Sequence, residues 1–279
     1  MASSPTSHGL SRREEARLKA QALQQEQARR ERRSRIVLFA SLLIGVLAVV
    51  GVGWFILQQQ PSQLSSDMTE FPEDVTIPTA ASPEDGGITY YNGNFQAEAP
   101  TDVPVLDVYL DFMCTHCADF EMTNGDWLKE SADNGELVWR LHPVGVLQSQ
   151  YSDTMGSAFA YLVENSPEHA LEFAKMTFAN FKNTGQSEEE LRSYAQAAGV
   201  PSEHIDGMLE GDYVRYIQSA SAITLNDESL RDEEGRFGTP ALYINGERSN
   251  VNWTDPQLLK DAVLNAGTSN TTGEDTSEE

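Results

Sequence analysis

Cys114 and Cys117 are the only cysteines in the 279-residue chain, and Thr115 and His116 stand between them. A C-x-x-C pair has three common chemistries, and spacing alone does not choose among them. A structural zinc site needs four ligands. Here there is no third cysteine, and His116, His142, His169 and His204 are too scattered to complete a familiar ligand spacing. An inert disulfide between residues three apart closes a tiny loop and removes little unfolded-chain entropy, so it is a poor staple. The third chemistry is thiol–disulfide exchange, the reading we prefer, and it makes a structural demand. Cys114 must lie where a strand ends and a helix begins, because unpaired N–H groups and the helix dipole favour a thiolate there. Cys117, one turn in, would be the more buried sulfur. His116 stands where its ring could stabilise the Cys114 thiolate further. Each pKa unit is worth ~1.4 kcal/mol, and a stabilised thiolate makes the disulfide more oxidising.

The flanking sequence supplies those elements. VPVLDVYLDF (103–112) is a nearly continuous apolar run that suits a buried central strand. The motif follows at once, and ADFEMTNGDWLKESA then reads as helix. ELVWRLHP (136–143) reads as a second strand, and from Ser152 to about Ser229 apolar residues recur at three and four. PALYING (240–246) is a strand closed by an Asn-Gly turn. Asp255 is the expected N-cap and Pro256 the first residue of a closing helix over 255–266. ITYYNGNFQ (88–96) reads as a hairpin that adds an edge strand, and Tyr90, Tyr91 and Trp139 read as core. The order describes an α/β sheet with a helical insertion.

A second motif, GRFGTPALYINGE, places Thr239-Pro240 just before the last strand. With both motifs present, the chain resembles the DsbA-like thiol–disulfide oxidoreductases of the thioredoxin fold, from about Val103 to Ala266. The resemblance implies a cis Pro240 lying against the cysteine pair, with the Thr239 backbone offered to a substrate strand. The chain also departs from that family. Thr115 stands where Pro is usual in Cys-Pro-His-Cys, and Val108 stands where many relatives carry a buried acid. Asp107 is one residue off, which in a strand points it to the opposite face. Asp111 matches the D-x-x-C-x-x-C form of a related branch and is given a supporting role.

The rest of the chain concerns address. Residues 1–35 hold nine Lys/Arg against four Glu, whereas the remainder holds ten Lys/Arg against 39 Asp/Glu. The acidic part lacks the basic surface that nucleic-acid binding requires. Between them, residues 36–57 form an uncharged apolar stretch of 22 residues. As a helix it would span roughly 33 Å, enough to cross a hydrocarbon core of about 30 Å. Arg30, Arg32, Arg33 and Arg35 abut its start, and no Lys or Arg follows before Lys129. The positive-inside rule therefore gives a cytoplasmic arm (1–35), a single-pass anchor (36–57) and an acidic part outside. A cleaved secretory signal is the rival, but no small-x-small site follows the apolar run. Residues 58–87 read as a flexible linker, 88–266 as the folded domain with its helical insertion at about 144–230, and 267–279 as a disordered acidic tail.

These readings lead to an extracytoplasmic, membrane-tethered thiol oxidase acting through Cys114, Cys117 and His116, with Thr239 and Pro240 binding substrate. Thr115 and Asp111 would support it. Its substrates would be exported cysteine-containing proteins, and a separate membrane redox partner would recharge it. No cofactor beyond the redox-active disulfide and no metal is expected. A reductase or isomerase running the same exchange in reverse is the first alternative. A non-catalytic binding module, indifferent to loss of Cys114, is the second.

Overall fold

The computed structural model describes residues 67–96 and 98–268. The basic arm, the proposed anchor, residues 58–66 of the linker and nearly all of the tail lie outside the described residues. Among the described residues, no helix is long and apolar enough to cross a membrane.

The sheet is built from β1 (Ile88–Tyr91), β2 (Asn94–Phe95), β3 (Val105–Leu110), β4 (Val138–Pro143), β5 (Ala241–Ile244) and β6 (Glu247–Arg248), in the order β2-β1-β4-β3-β5-β6. Only β3 and β4 run parallel; every other neighbouring pair is antiparallel. Two short hairpins finish the edges. Both turn on Asn-Gly, with Asn92, Gly93, Asn245 and Gly246 in the left-handed region that Asn and Gly tolerate. Alternation along β3 sends Leu106, Val108 and Leu110 into the main core and Asp107 and Tyr109 to the opposite face.

Helix α1 (Thr115–Asp133) follows β3 and crosses to β4, the connection a parallel pair needs. Its buried stripe includes Cys117, Phe120, Glu121, Asn124, Leu128 and Ala132, and Gly135 ends it with a left-handed backbone. Five helices form the insertion: α2 (Gln150–Asn165), α3 (Pro167–Ala179), α4 (Glu188–Ala197), α5 (Ser202–Gly207) and α6 (Val214–Asn226). Ser149 caps α2, and Ser187 with Glu190 makes a complete capping box on α4. Gly156 lets α2 and α6 approach closely, since a Cβ there would lie 2.8 Å from Ile217 Cδ1. Helix α7 (Pro256–Thr268) closes the domain, packing Leu259 and Val263 into the core. The Asp255 carboxylate accepts from Gln257 N at 3.1 Å, as an N-cap should.

The linker expectation needs correction over its second part. Residues 67–87 lie against the domain as a strap. Phe71 stacks on Tyr216 at 5.9 Å, Asp74 pairs with Arg215, and Thr79 donates to Glu164. Ala80 and Ala81 are buried, and Tyr216 Oη donates to Gly86 O at 2.5 Å. The segment has no apolar period because it forms neither helix nor strand for most of its length. Its few apolar residues dock singly, Phe71 on Tyr216 of α6 and Ala81 in an isolated bridge with Ile88 of β1.

Candidate active site

The end of β3 and the start of α1 create the site. Cys114 is the N-cap of α1, with an extended backbone (φ −90°, ψ 117°), and no acidic side chain lies in the first turn to offset the dipole. The two sulfurs are unbonded thiols in unequal settings: Cys114 is 8% exposed and Cys117 2%. The Thr239–Pro240 peptide bond is cis, at the N-terminal end of β5 beside the motif. Cys114 Sγ donates to Thr239 O at 3.2 Å, so the two sequence motifs meet across 125 residues.

The electrostatics separate the two thiols. Cys114 is lowered to about 6, first because the Cys117 thiol hydrogen-bonds to its sulfur. Burial opposes this, while the Thr239 side chain and the backbone N–H groups of Cys117 and His116 add to the lowering. Thr239 Oγ1 is buried with no other partner, so its hydroxyl is free to donate once the thiol loses its proton. Cys117 is pushed up, chiefly by burial and then by the Cys114 sulfur beside it. One proton is thus kept on Cys117 while Cys114 carries the charge.

Asp111 sits under both cysteines. It is completely buried, its carbonyl accepts from Cys114 N at 2.9 Å, and its N–H points to Cys117 Sγ at 3.5 Å. Its carboxylate accepts from Met113 N (2.8 Å), Leu147 N (2.9 Å) and Ser152 Oγ (2.5 Å). The other flagged residues lie on the surface. The His116 side chain is 74% exposed and faces Asp119 at 3.7 Å, so in this conformation the His116 group that favours the thiolate is its backbone N–H. Thr115 is exposed, with its hydroxyl 3.5 Å from Asn183 Oδ1.

The sequence reading placed Asp107 on the opposite face of β3 but missed the partners it meets there. Val108 lies in the core, while Asp107 faces the other way and is bonded to His142 Nε2 (2.8 Å) and Arg140 (3.0 Å), with Tyr109 stacked on His142. Strand alternation on β3 and β4 could have grouped these residues. Glu121 is buried on α1 and raised to about 7, by burial first; Lys175 works against the shift and Asp126 with it. Its signal was a charge on the helix's apolar stripe, one turn past Cys117. Among the described residues, no group of three or more His, Cys, Asp or Glu is placed to hold a metal ion.

Residues 96–261 match the thioredoxin family. This chain belongs to that family. The thiol:disulfide interchange protein DsbA of Pectobacterium carotovorum subsp. carotovorum is 26% identical over 153 residues, covering 53% of this chain and 68% of that relative. The MdbA protein of Actinomyces oris, a thiol-disulfide oxidoreductase, has a TM-score of 0.57 at 22% identity, covering 74% of this chain and 93% of its own. The MdbA protein of Corynebacterium diphtheriae gives 0.53 at 19%, covering 74% and 100%. Within the thioredoxin family the protein is DsbA-like, a thiol–disulfide oxidoreductase with its paired cysteines at the start of α1. Its helical insertion falls between β4 and β5.

Proposed function

We propose that this thioredoxin-family protein is an extracytoplasmic oxidase, held to the membrane by residues 36–57, that introduces disulfides into exported proteins. The inequality of the two sulfurs carries the reading. One is the better nucleophile and leaving group, and the other is buried and keeps its proton.

In the oxidised enzyme a substrate thiolate attacks Cys114 Sγ, the Cys114–Cys117 bond breaks, and the electron pair leaves on Cys117, which takes up a proton. The substrate's second thiolate then attacks its own sulfur in the mixed disulfide and expels the Cys114 thiolate. The substrate loses two electrons and gains a disulfide; the enzyme is left as a dithiol. Thr239 O and the cis Pro240 hold the substrate strand beside the sulfur, and Asp111 fixes the backbone of both cysteines. His116 and Thr115 form the outer rim. A disulfide-bearing partner in the membrane takes the two electrons back, and no bound cofactor takes part in the exchange.

Refolding of a reduced ribonuclease tests this. The full chain should restore activity and Cys114→Ala should not. Equal, slow recovery with both proteins would end the oxidase reading. Its direction follows from the reduction potential, expected nearer ~−120 mV than the ~−270 mV of a thioredoxin-type reductant.

A further inference from the structure

One group beside the cysteines has capacity that disulfide exchange leaves unused. Thr239 Oγ1 is buried and has no partner besides the two sulfurs it lies near, favouring the thiolate of each. A hydroxyl has one proton to give and two lone pairs to accept with. Donating to the Cys114 thiolate uses the proton and leaves the lone pairs empty. A buried oxygen in that state, beside a nucleophilic sulfur, suits a small substrate that carries its own O–H.

Three further features narrow that substrate. Cys114 is nearly covered, so a molecule of a few atoms reaches its sulfur more easily than a folded surface does. Cys114 is the N-cap of α1, with no acidic side chain in the first turn, so negative charge is favoured where the reaction starts. Cys117 keeps a proton and hydrogen-bonds to the Cys114 sulfur. The Asp111 N–H points to Cys117 Sγ at 3.5 Å and would stabilise a thiolate there once that proton leaves. A thiolate, a hydroxyl that can hold an O–H against it and a second thiol in contact are together the parts needed to reduce an O–O bond.

We propose that the reduced protein also consumes hydroperoxides, with Cys114 as the attacking sulfur, Thr239 Oγ1 as the acceptor that holds the peroxide O–H, and Cys117 as the resolving thiol. The Cys114 thiolate attacks the hydroxyl oxygen of ROOH. The O–O bond breaks, and the electron pair leaves on the alkoxide, which takes up the proton that Cys114 had released and departs as ROH. Cys114 is now a sulfenic acid. Cys117 loses its proton and attacks that sulfur, the S–O bond breaks, and the hydroxide combines with the Cys117 proton as water. The dithiol loses two electrons, and one ROOH becomes ROH and water. The product is the same Cys114–Cys117 disulfide that a substrate thiolate attacks, so a hydroperoxide is a second route for recharging the pair.

The test uses the reduced full-length protein with hydrogen peroxide at about pH 8. The rate of thiol loss is divided by the rate of alkylation with iodoacetamide, so that the thiolate fraction cancels. This ratio should exceed that of free cysteine by about tenfold, the worth of one hydrogen bond to the reacting oxygen. Thr239→Val should lower it about tenfold, and Thr239→Ser should keep it. In Cys117→Ala, peroxide should leave a sulfenic acid on Cys114 that a cyclic 1,3-diketone traps, whereas the parent should give the disulfide with one peroxide used per two thiols. Only the reduced pair is needed, so the outcome stands whether or not the ribonuclease assay supports an oxidase. A parent ratio equal to that of free cysteine, a ratio unchanged in Thr239→Val, or no trapped adduct in Cys117→Ala would overturn the proposal.

Discussion

The sheet unit and the helical block meet at the cysteine pair, and they contribute to it in different ways. The sheet unit (β3, α1, and β5 with the Thr239–Pro240 turn before it) carries the two sulfurs and the groups bonded to Cys114: the Thr239 carbonyl and hydroxyl and the first N–H groups of a helix. The helical block (α2 to α6), with the segment leading into it, supplies no sulfur and holds what surrounds them. Ser152 at the start of α2 and Leu147 just before it bond to Asp111, and Lys175 on α3 lies near Glu121. Chemistry is therefore written in short contiguous motifs, whereas its support is assembled from side chains far away in the chain. Asp111 is the joint between the two, with its backbone on the cysteines and its carboxylate on the block.

The largest effect should be on the sheet unit's own chemistry. The rate of Cys114 alkylation should follow the thiolate fraction, nearly flat above pH 7 and falling about tenfold per unit below the pKa of about 6. The sign of the linked stability is fixed by the same shift. A thiol lowered from 9.0 to about 6 stabilises the folded dithiol fully above pH 9, and that contribution is lost as pH falls through about 6. A rate that kept rising between pH 7 and 9 would mean that the sulfur behaves like an ordinary cysteine.

Breaking the joint comes next. Asp111→Ala leaves two backbone N–H groups and a hydroxyl without their acceptor, and should cost about 3 kcal/mol or more in urea unfolding of the dithiol form. A loss below about 1 kcal/mol would show that the two regions are held together elsewhere.

Glu121 sharpens the comparison from inside α1. Its carboxyl is raised from 4.5 to about 7, so between those values the folded protein keeps a proton that the unfolded chain gives up. Stability then declines as pH rises through that window and levels off above it. Glu121→Gln should remove the decline and be more stable than the parent by on the order of 2 kcal/mol at about pH 8, with little difference near pH 4. A parallel pH profile in both proteins would contradict this. The smallest effect is expected from the block's side of the joint. Ser152→Ala loses one hydrogen bond to the carboxylate and should cost about 1.5 kcal/mol, with Cys114 alkylation unchanged.

The same division explains what could be read from the chain. The strand into Leu110, the helix behind Cys114, the two Asn-Gly turns and the Asp255 cap are local patterns, and each became the element expected. The meeting of Cys114 with Thr239 followed from a resemblance rather than from any local rule. The roles of Ser152 and Leu147 could not be read, because nothing near either residue marks it as a partner of Asp111. His116 shows the converse: its type suggested a ring beside the sulfur, whereas the helix start presents its amide and leaves the ring in solvent. The strap was read as a loose tether because packing without periodicity leaves no pattern along a sequence.

That strap alters the mechanics of the molecule. Phe71 on Tyr216 and Asp74 on Arg215 moor the strap to α6, so among the described residues the fold already holds the chain at Phe71, ahead of β1. A pull arriving from the N-terminal side would load the helical block first and leave the strand that feeds the sulfurs slack. The working rim is thus shielded from whatever drags on the rest of the chain.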